Sequence, residues 1–134
     1  NILIHAGRRV LIDHETIHFG DPAFDPGFAL AHLLSKANHV TAQRDALLAA
    51  TVRFWEAYCA SLGNMPWANG LEARTVRHAL GCLLARVAGR STLAYLTSAE
   101  CEDQQSAALA MIAHTPTTVA ELVEEFGRLL TRGA

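Results

Sequence analysis

Apolar positions fall into two regimes along this 134-residue chain. Near the start they come in unbroken triplets, Ile2-Leu3-Ile4 and Val10-Leu11-Ile12; further on they recur every three or four positions. Short continuous runs mark strands, and the longer spacing marks helices with one apolar stripe. Strands are therefore expected over residues 1–5 and 9–13. Ala6, Gly7 and Arg8 lie between them, with Gly7 supplying a positive φ, so the two runs predict a β-hairpin. Neither run alternates with polar residues, which predicts that both strands pack on both faces.

The helical part divides at its punctuation. Residues 14–25 read as an irregular loop broken by Gly20, Asp21 and Pro22. Asp25 before Pro26 looks like an N-cap followed by proline at the first helical position. Phe28, Leu30, Ala31, Leu33 and Leu34 fill the helix that follows, which is expected to end near residues 36–39. Thr41 is placed to cap a long helix through Leu62, with Leu48, Val52, Trp55, Tyr58 and Leu62 on one side. Asn64, Pro66 and Asn69 break the chain. A helix over residues 71–88 follows, with Gly89 as its stop. Thr97 with Glu100, and Thr118 with Glu121, have the spacing of capping boxes and open the last two helices. The expectation is a mainly α chain with a short N-terminal β-hairpin: hairpin at 1–13, connecting segment at 14–25, helical part at 26–134.

Composition narrows the classes. With 51% hydrophobic and 18% charged residues the chain folds rather than remaining disordered. Its length suits one domain. The eleven Lys and Arg are scattered and the net charge is −2, so no nucleic-acid or anionic-membrane surface is expected. No apolar stretch reaches the roughly 20 residues that span a bilayer. Cys59, Cys82 and Cys101 are an odd, widely spaced set, which favours reduced thiols over disulfides or structural zinc. With no basic-then-apolar leader pattern, a cytoplasmic location is expected.

Two motifs compete for one segment. His14-Glu15-Thr16-Ile17-His18 matches the H-E-x-x-H pattern of zinc peptidases, which needs both histidines one turn apart on a helix with the glutamate as general base. Gly7 upstream, and Gly20 and Pro22 downstream, leave little room for that helix. The sixth position after His18 is Phe24, so the longer three-histidine pattern is not met.

The second signal spans more of the chain. Asn1-Ile2-Leu3-Ile4, a tight turn, Val10-Leu11-Ile12-Asp13, then Gly20-Asp21-Pro22-Ala23-Phe24-Asp25 opening a helix resembles the aminoglycoside phosphotransferase and choline kinase family. The resemblance implies the C-terminal lobe of a protein-kinase-like fold. It also implies ATP- and Mg²⁺-dependent phosphorylation of a hydroxyl on a small molecule. Phosphoryl transfer is mostly positioning plus neutralisation of phosphate charge by Mg²⁺, which prefers hard oxygen ligands. By the resemblance, Asp13 supplies a carboxylate and Asn1 an amide oxygen to the metal and its nucleotide, while Asp25 is structural. The family's base is an aspartate five positions before the loop asparagine, so it falls before Asn1, as does the nucleotide-clamping lobe. The expectation is a C-terminal fragment, cut within its catalytic loop and inactive as it stands. His14 stands where the family often has an aromatic residue.

Other residues read more simply. Asp21 is a turn residue. His5, His32, His39, His78 and His114 have no partners at metal-ligand spacing, and Trp55, Tyr58 and Trp67 suit a core. Glu100, Glu102 and Asp103 make a negative first helical turn, favoured by the helix dipole. A helical interaction module is the alternative of a different class. A lobe stripped of its neighbour exposes apolar surface that self-association covers, so a homodimer is expected.

Overall fold

A computed structural model describes residues 2–13 and 19–132. The chain is mainly helical, with one two-stranded antiparallel hairpin at its start. Strands β1 (Ile2–His5) and β2 (Arg8–Leu11) pair in the register Ile2 to Leu11, Leu3 to Val10, Ile4 to Arg9 and His5 to Arg8. The loop is two residues, with Ala6 at φ 46° and Gly7 at φ 73°. Positive φ at both central positions matches the right-handed twist of the strands, which is why so short a connection closes them. Arg8 thus belongs to the strand, not to the turn.

The expectation that the hairpin packs on both faces is not met. Every described residue from Ile2 to Asp13 is exposed, including Ile2, Ile4 and Leu11 at 63%, 77% and 64% of their surface. A pair of strands has two faces and no layer of its own to cover either. Among the described residues no helix lies over them closely enough to shield their side chains.

Among the described residues five α-helices follow: α1 (Phe24–His39), α2 (Arg44–Leu62), α3 (Leu71–Ala88), α4 (Ser98–Ala113) and α5 (Val119–Arg132). α1 packs most closely on α3 and α2, while α5 closes the bundle against α2 and α4. Its core holds Leu30 and Leu34 from α1, Val76, Leu80 and Leu83 from α3, Met111 from α4, and Leu122 and Phe126 from α5, all within a few per cent of full burial. Leucines at i, i+3 and i+4 on facing helices account for that packing.

Local chemistry sets the helix ends. Both capping boxes form: Glu100 N–H donates to Thr97 Oγ1 at 3.3 Å while Thr97 N–H donates to a Glu100 carboxylate oxygen at 2.8 Å. The reciprocal pair at Thr118 and Glu121 lies at 3.2 Å each way. Glu72 of α3 accepts the Val119 N–H at 2.9 Å, satisfying another donor at the start of α5. The first helix differs from its expected start. Ala23 occupies the N-cap, Phe24 is the first helical residue, and Asp25 lies inside the first turn. Asp21 causes this shift: its carboxylate accepts the Ala23 N–H at 3.0 Å and its carbonyl accepts the Phe24 N–H at 3.0 Å. The helical turn is therefore set before Asp25 is reached. Pro26 falls third in the helix, where its missing N–H would have had no partner. Thr41 caps nothing either. It opens a three-residue 3₁₀ turn through Gln43, and Arg44 instead donates to the Ala37 carbonyl at 3.2 Å, serving the end of α1.

Candidate functional site

The segment from Leu11 to α1 is the region singled out by motif. β2 stops at Leu11, so Asp13 sits two residues past the last strand pair instead of ending the strand. It is exposed and held at φ 67°, in the left-handed region that aspartate tolerates better than most residues. Asp13 therefore lies where the backbone turns left-handed, two residues past the hairpin. Asn1 and the whole His14-to-His18 stretch lie outside the described residues, so the amide partner of Asp13 and the H-E-x-x-H pattern carry no structural description. Among the described residues no group of three or more His, Cys, Asp or Glu is arranged to hold a metal ion.

The far end of the segment is clamped. Asp21 faces α3, where Arg74 Nε lies 3.1 Å and His78 Nε2 3.5 Å from its Oδ2. The Ala23 N–H bond, with Arg74 and His78, holds the Asp21 carboxyl below the ordinary aspartate value, against a smaller opposing effect of burial. Arg74 is itself oriented by the carbonyls of Asn69 and Trp67 at 2.6 and 2.9 Å. Gly27 lets α1 sit against α3 here: a methyl group at its Cα would lie 2.7 Å from His78 Cβ and 2.9 Å from the Thr75 carbonyl. Asp21 is thus a turn residue, as the sequence indicates, and also the anchor of the loop. Asp25 is exposed in the first turn of α1. Burial raises the Tyr58 phenol above its ordinary value, and the Asp25 charge adds to that shift.

Beyond the motif, α1 carries an outward stripe of Phe24, Phe28, His32 and Lys36, each four residues from the last. Phe24 and Phe28 stack with ring centres 6.0 Å apart, and His32 meets Phe28 edge-on at 4.6 Å. Arg86 of α3 lies over Phe28 at 5.0 Å, and Lys36 over Tyr95 at 3.6 Å. Burial, together with the Arg86 and Lys36 charges, lowers the His32 pKa, so its imidazole is neutral at neutral pH. The four-residue spacing is visible in the sequence, but the distant partners of the stripe, Arg86 over Phe28 and Tyr95 under Lys36, lie more than fifty residues further along. The expected core aromatics divide: Trp55 is buried, Tyr58 packs against the core, and Trp67 is 36% exposed.

A separate open groove of about 490 Å³ runs between α2 and α5, floored by Leu48, Val52 and Val123 and flanked by Arg44 and Glu124. It shares no residue with the motif segment. Comparison with protein-family models, with curated proteins and with solved structures finds no match. No described helix is long and apolar enough to cross a membrane.

Proposed function

We propose that this chain is part of an ATP-dependent small-molecule phosphotransferase, contributing Asp13 and Asn1 to a site for Mg²⁺ and its bound nucleotide. The observation that carries this reading is the position of Asp13: exposed, with a left-handed φ of 67°, two residues past a β-hairpin. Such an arrangement suits Mg²⁺, which binds through one or two carboxylate or amide oxygens, keeps several waters, and bridges substrate phosphates. When bound, the metal neutralises charge on the transferring phosphoryl group. The chain's own contribution is to hold a hard-oxygen donor on a fixed bend. By the same resemblance the catalytic base is a separate aspartate preceding the loop asparagine, so the part proposed for Asp13 and Asn1 is metal binding alone.

The test is residue-resolved line broadening by Mn²⁺, a paramagnetic substitute for Mg²⁺, with and without ATP. Broadening centred on Leu11, Ile12 and Ile2, lost in Asp13→Asn and kept in Asp25→Asn, supports the reading. Broadening spread evenly over the surface acids, or unchanged by Asp13→Asn, overturns it.

A further inference from the structure

We infer that the outer edge of β1 is a self-pairing surface, joining antiparallel to β1 of a second copy with Leu3 on the two-fold axis. This inference does not depend on the metal role of Asp13. It begins with the distribution of charge on the hairpin. β1 reads Ile2-Leu3-Ile4-His5, whereas β2 begins with Arg8 and Arg9. Edge strands in water are usually blunted by charge, proline or a covering element. β2 has two arginines doing so; β1 has three exposed aliphatic residues in a row, at 63%, 54% and 77% exposure. An isolated two-stranded hairpin is marginal, and a sheet of three or more strands is the usual remedy.

Hydrogen-bond direction selects the register. In a hairpin closed by a two-residue loop the flanking pair, His5 with Arg8, exchanges both ladder bonds, and alternate pairs do so thereafter. Leu3 and His5 therefore direct their backbone groups toward β2, and Ile2 and Ile4 direct theirs outward. Placing Leu3 against Leu3 of a second copy sets Ile2 against Ile4 in both directions. The outward donors and acceptors of each chain then meet those of the other. The result is a four-stranded sheet in the order β2-β1-β1-β2. Ile2, Ile4 and Leu11 of both copies share one face, and the basic tips at His5, Arg8 and Arg9 point away from each other. The same operation on the β2 edge, about Val10, would set Arg9 against Leu11 and Arg8 against Ile12 of the second copy, holding two cationic side chains against aliphatic ones where the β1 edge matches aliphatic to aliphatic.

A short edge contact belongs to the weak class of interfaces, so dimer should be populated at roughly 10–100 µM. Two measurements test it, each with its own control. In a Cys59→Ser background, Leu3→Cys should cross-link between copies under mild oxidation at least about tenfold faster than Val10→Cys, because a non-hydrogen-bonded pair on the axis brings the two Cα atoms within disulfide reach. Ile4→Pro, which removes an outward N–H from β1, should shift sedimentation to monomer. Arg9→Pro, which removes the equivalent N–H from β2, should leave dimer in place, with helical circular dichroism unchanged in both. A wild-type chain that stays monomeric to several hundred micromolar overturns the inference. So does equal cross-linking of the two cysteine variants, or equal dissociation by the two prolines.

Discussion

Asp21 holds its own loop and a distant helix with one carboxylate: it accepts the Ala23 N–H at 3.0 Å and faces Arg74 at 3.1 Å and His78 at 3.5 Å. Removing it frees the Ala23 amide and leaves Arg74 and His78 without their anion. Asp21→Ala is expected to cost about 1 kcal/mol, chiefly through the lost local turn, because an ion pair this exposed is screened by water. Urea unfolding of the two proteins measures the difference. The carboxyl is depressed below its ordinary value of 3.8, so its contribution is complete above that pH and disappears as pH falls through the depressed value. The gap between wild type and Asp21→Ala should therefore close in acid. A gap that widens in acid would assign the effect to something other than the carboxylate.

Gly27 and Gly81 lie in packed helices but are predicted to respond to alanine in opposite ways. At Gly27 a Cβ would meet His78 Cβ at 2.7 Å and the Thr75 carbonyl at 2.9 Å, and backbone cannot move aside as a side-chain tip can. Gly27→Ala should destabilise by roughly 1–3 kcal/mol by pushing α1 off α3. At Gly81, exposed on the outer side of α3, nothing lies within 4 Å. Gly81→Ala should stabilise by about 0.5–1 kcal/mol through reduced backbone freedom in the unfolded chain. Melting temperatures moving in the same direction for both would contradict the close approach at Gly27.

The hairpin loop offers a cleaner local test. Ala6 has φ 46°, a conformation that costs a residue with a Cβ, while its neighbour Gly7 adopts φ 73° freely. Asparagine tolerates this region and, before glycine, is the favoured pair for such a turn. Ala6→Asn should stabilise the hairpin by about 0.5–1 kcal/mol, read as stronger cross-strand contacts between Leu3 and Val10 in solution NMR. Weaker contacts would mean that the strand register of this hairpin is not set by its loop.

The parts of the fold visible in the sequence are those decided within a few residues. All five helices, the break after Leu62 and both capping boxes follow from spacing and from Thr, Glu, Gly and Pro at helix ends. Asp25 was legible as a residue near a helix start but not as one displaced from the cap. The displacement depends on Asp21, which is fastened by side chains 53 residues further along. The open face of the hairpin was misjudged because apolar continuity signals a wish for burial, not the presence of a covering layer. Candidate chemistry suffers from the same division. Asp13 is singled out only by the resemblance of its segment to the phosphotransferase pattern, whereas the stripe from Phe24 to Lys36 gains meaning only when Arg86 and Tyr95 come alongside.

Glu100 links the end of α1 to the beginning of α4, and its charge should be measurable in stability. Its carboxylate accepts the Thr97 N–H at 2.8 Å and faces His39 Nδ1 at 3.1 Å, while Asn38 donates to its carbonyl at 2.8 Å. The bond from the Thr97 backbone, then those from His39 and Thr97 side chains, hold the carboxyl below its ordinary value of 4.5 despite some burial. A depressed carboxyl stabilises fully above the ordinary value, and that contribution is lost as pH falls through the lowered one. Thr97→Ala removes the cap acceptor and should cost about 1 kcal/mol near neutrality, with the Thr97 backbone and His39 bonds to the Glu100 carboxylate kept. Glu100→Gln keeps the shape but discards the charge, so its deficit should be largest above the ordinary carboxyl value and shrink as pH falls through the lowered one and the wild-type carboxyl takes up its proton. Parallel chemical-denaturation series for the three proteins separate the two contributions. If the Glu100→Gln deficit stays constant with pH, the link between α1 and α4 is held by the Asn38 bond and by packing, and the carboxylate adds only its shape.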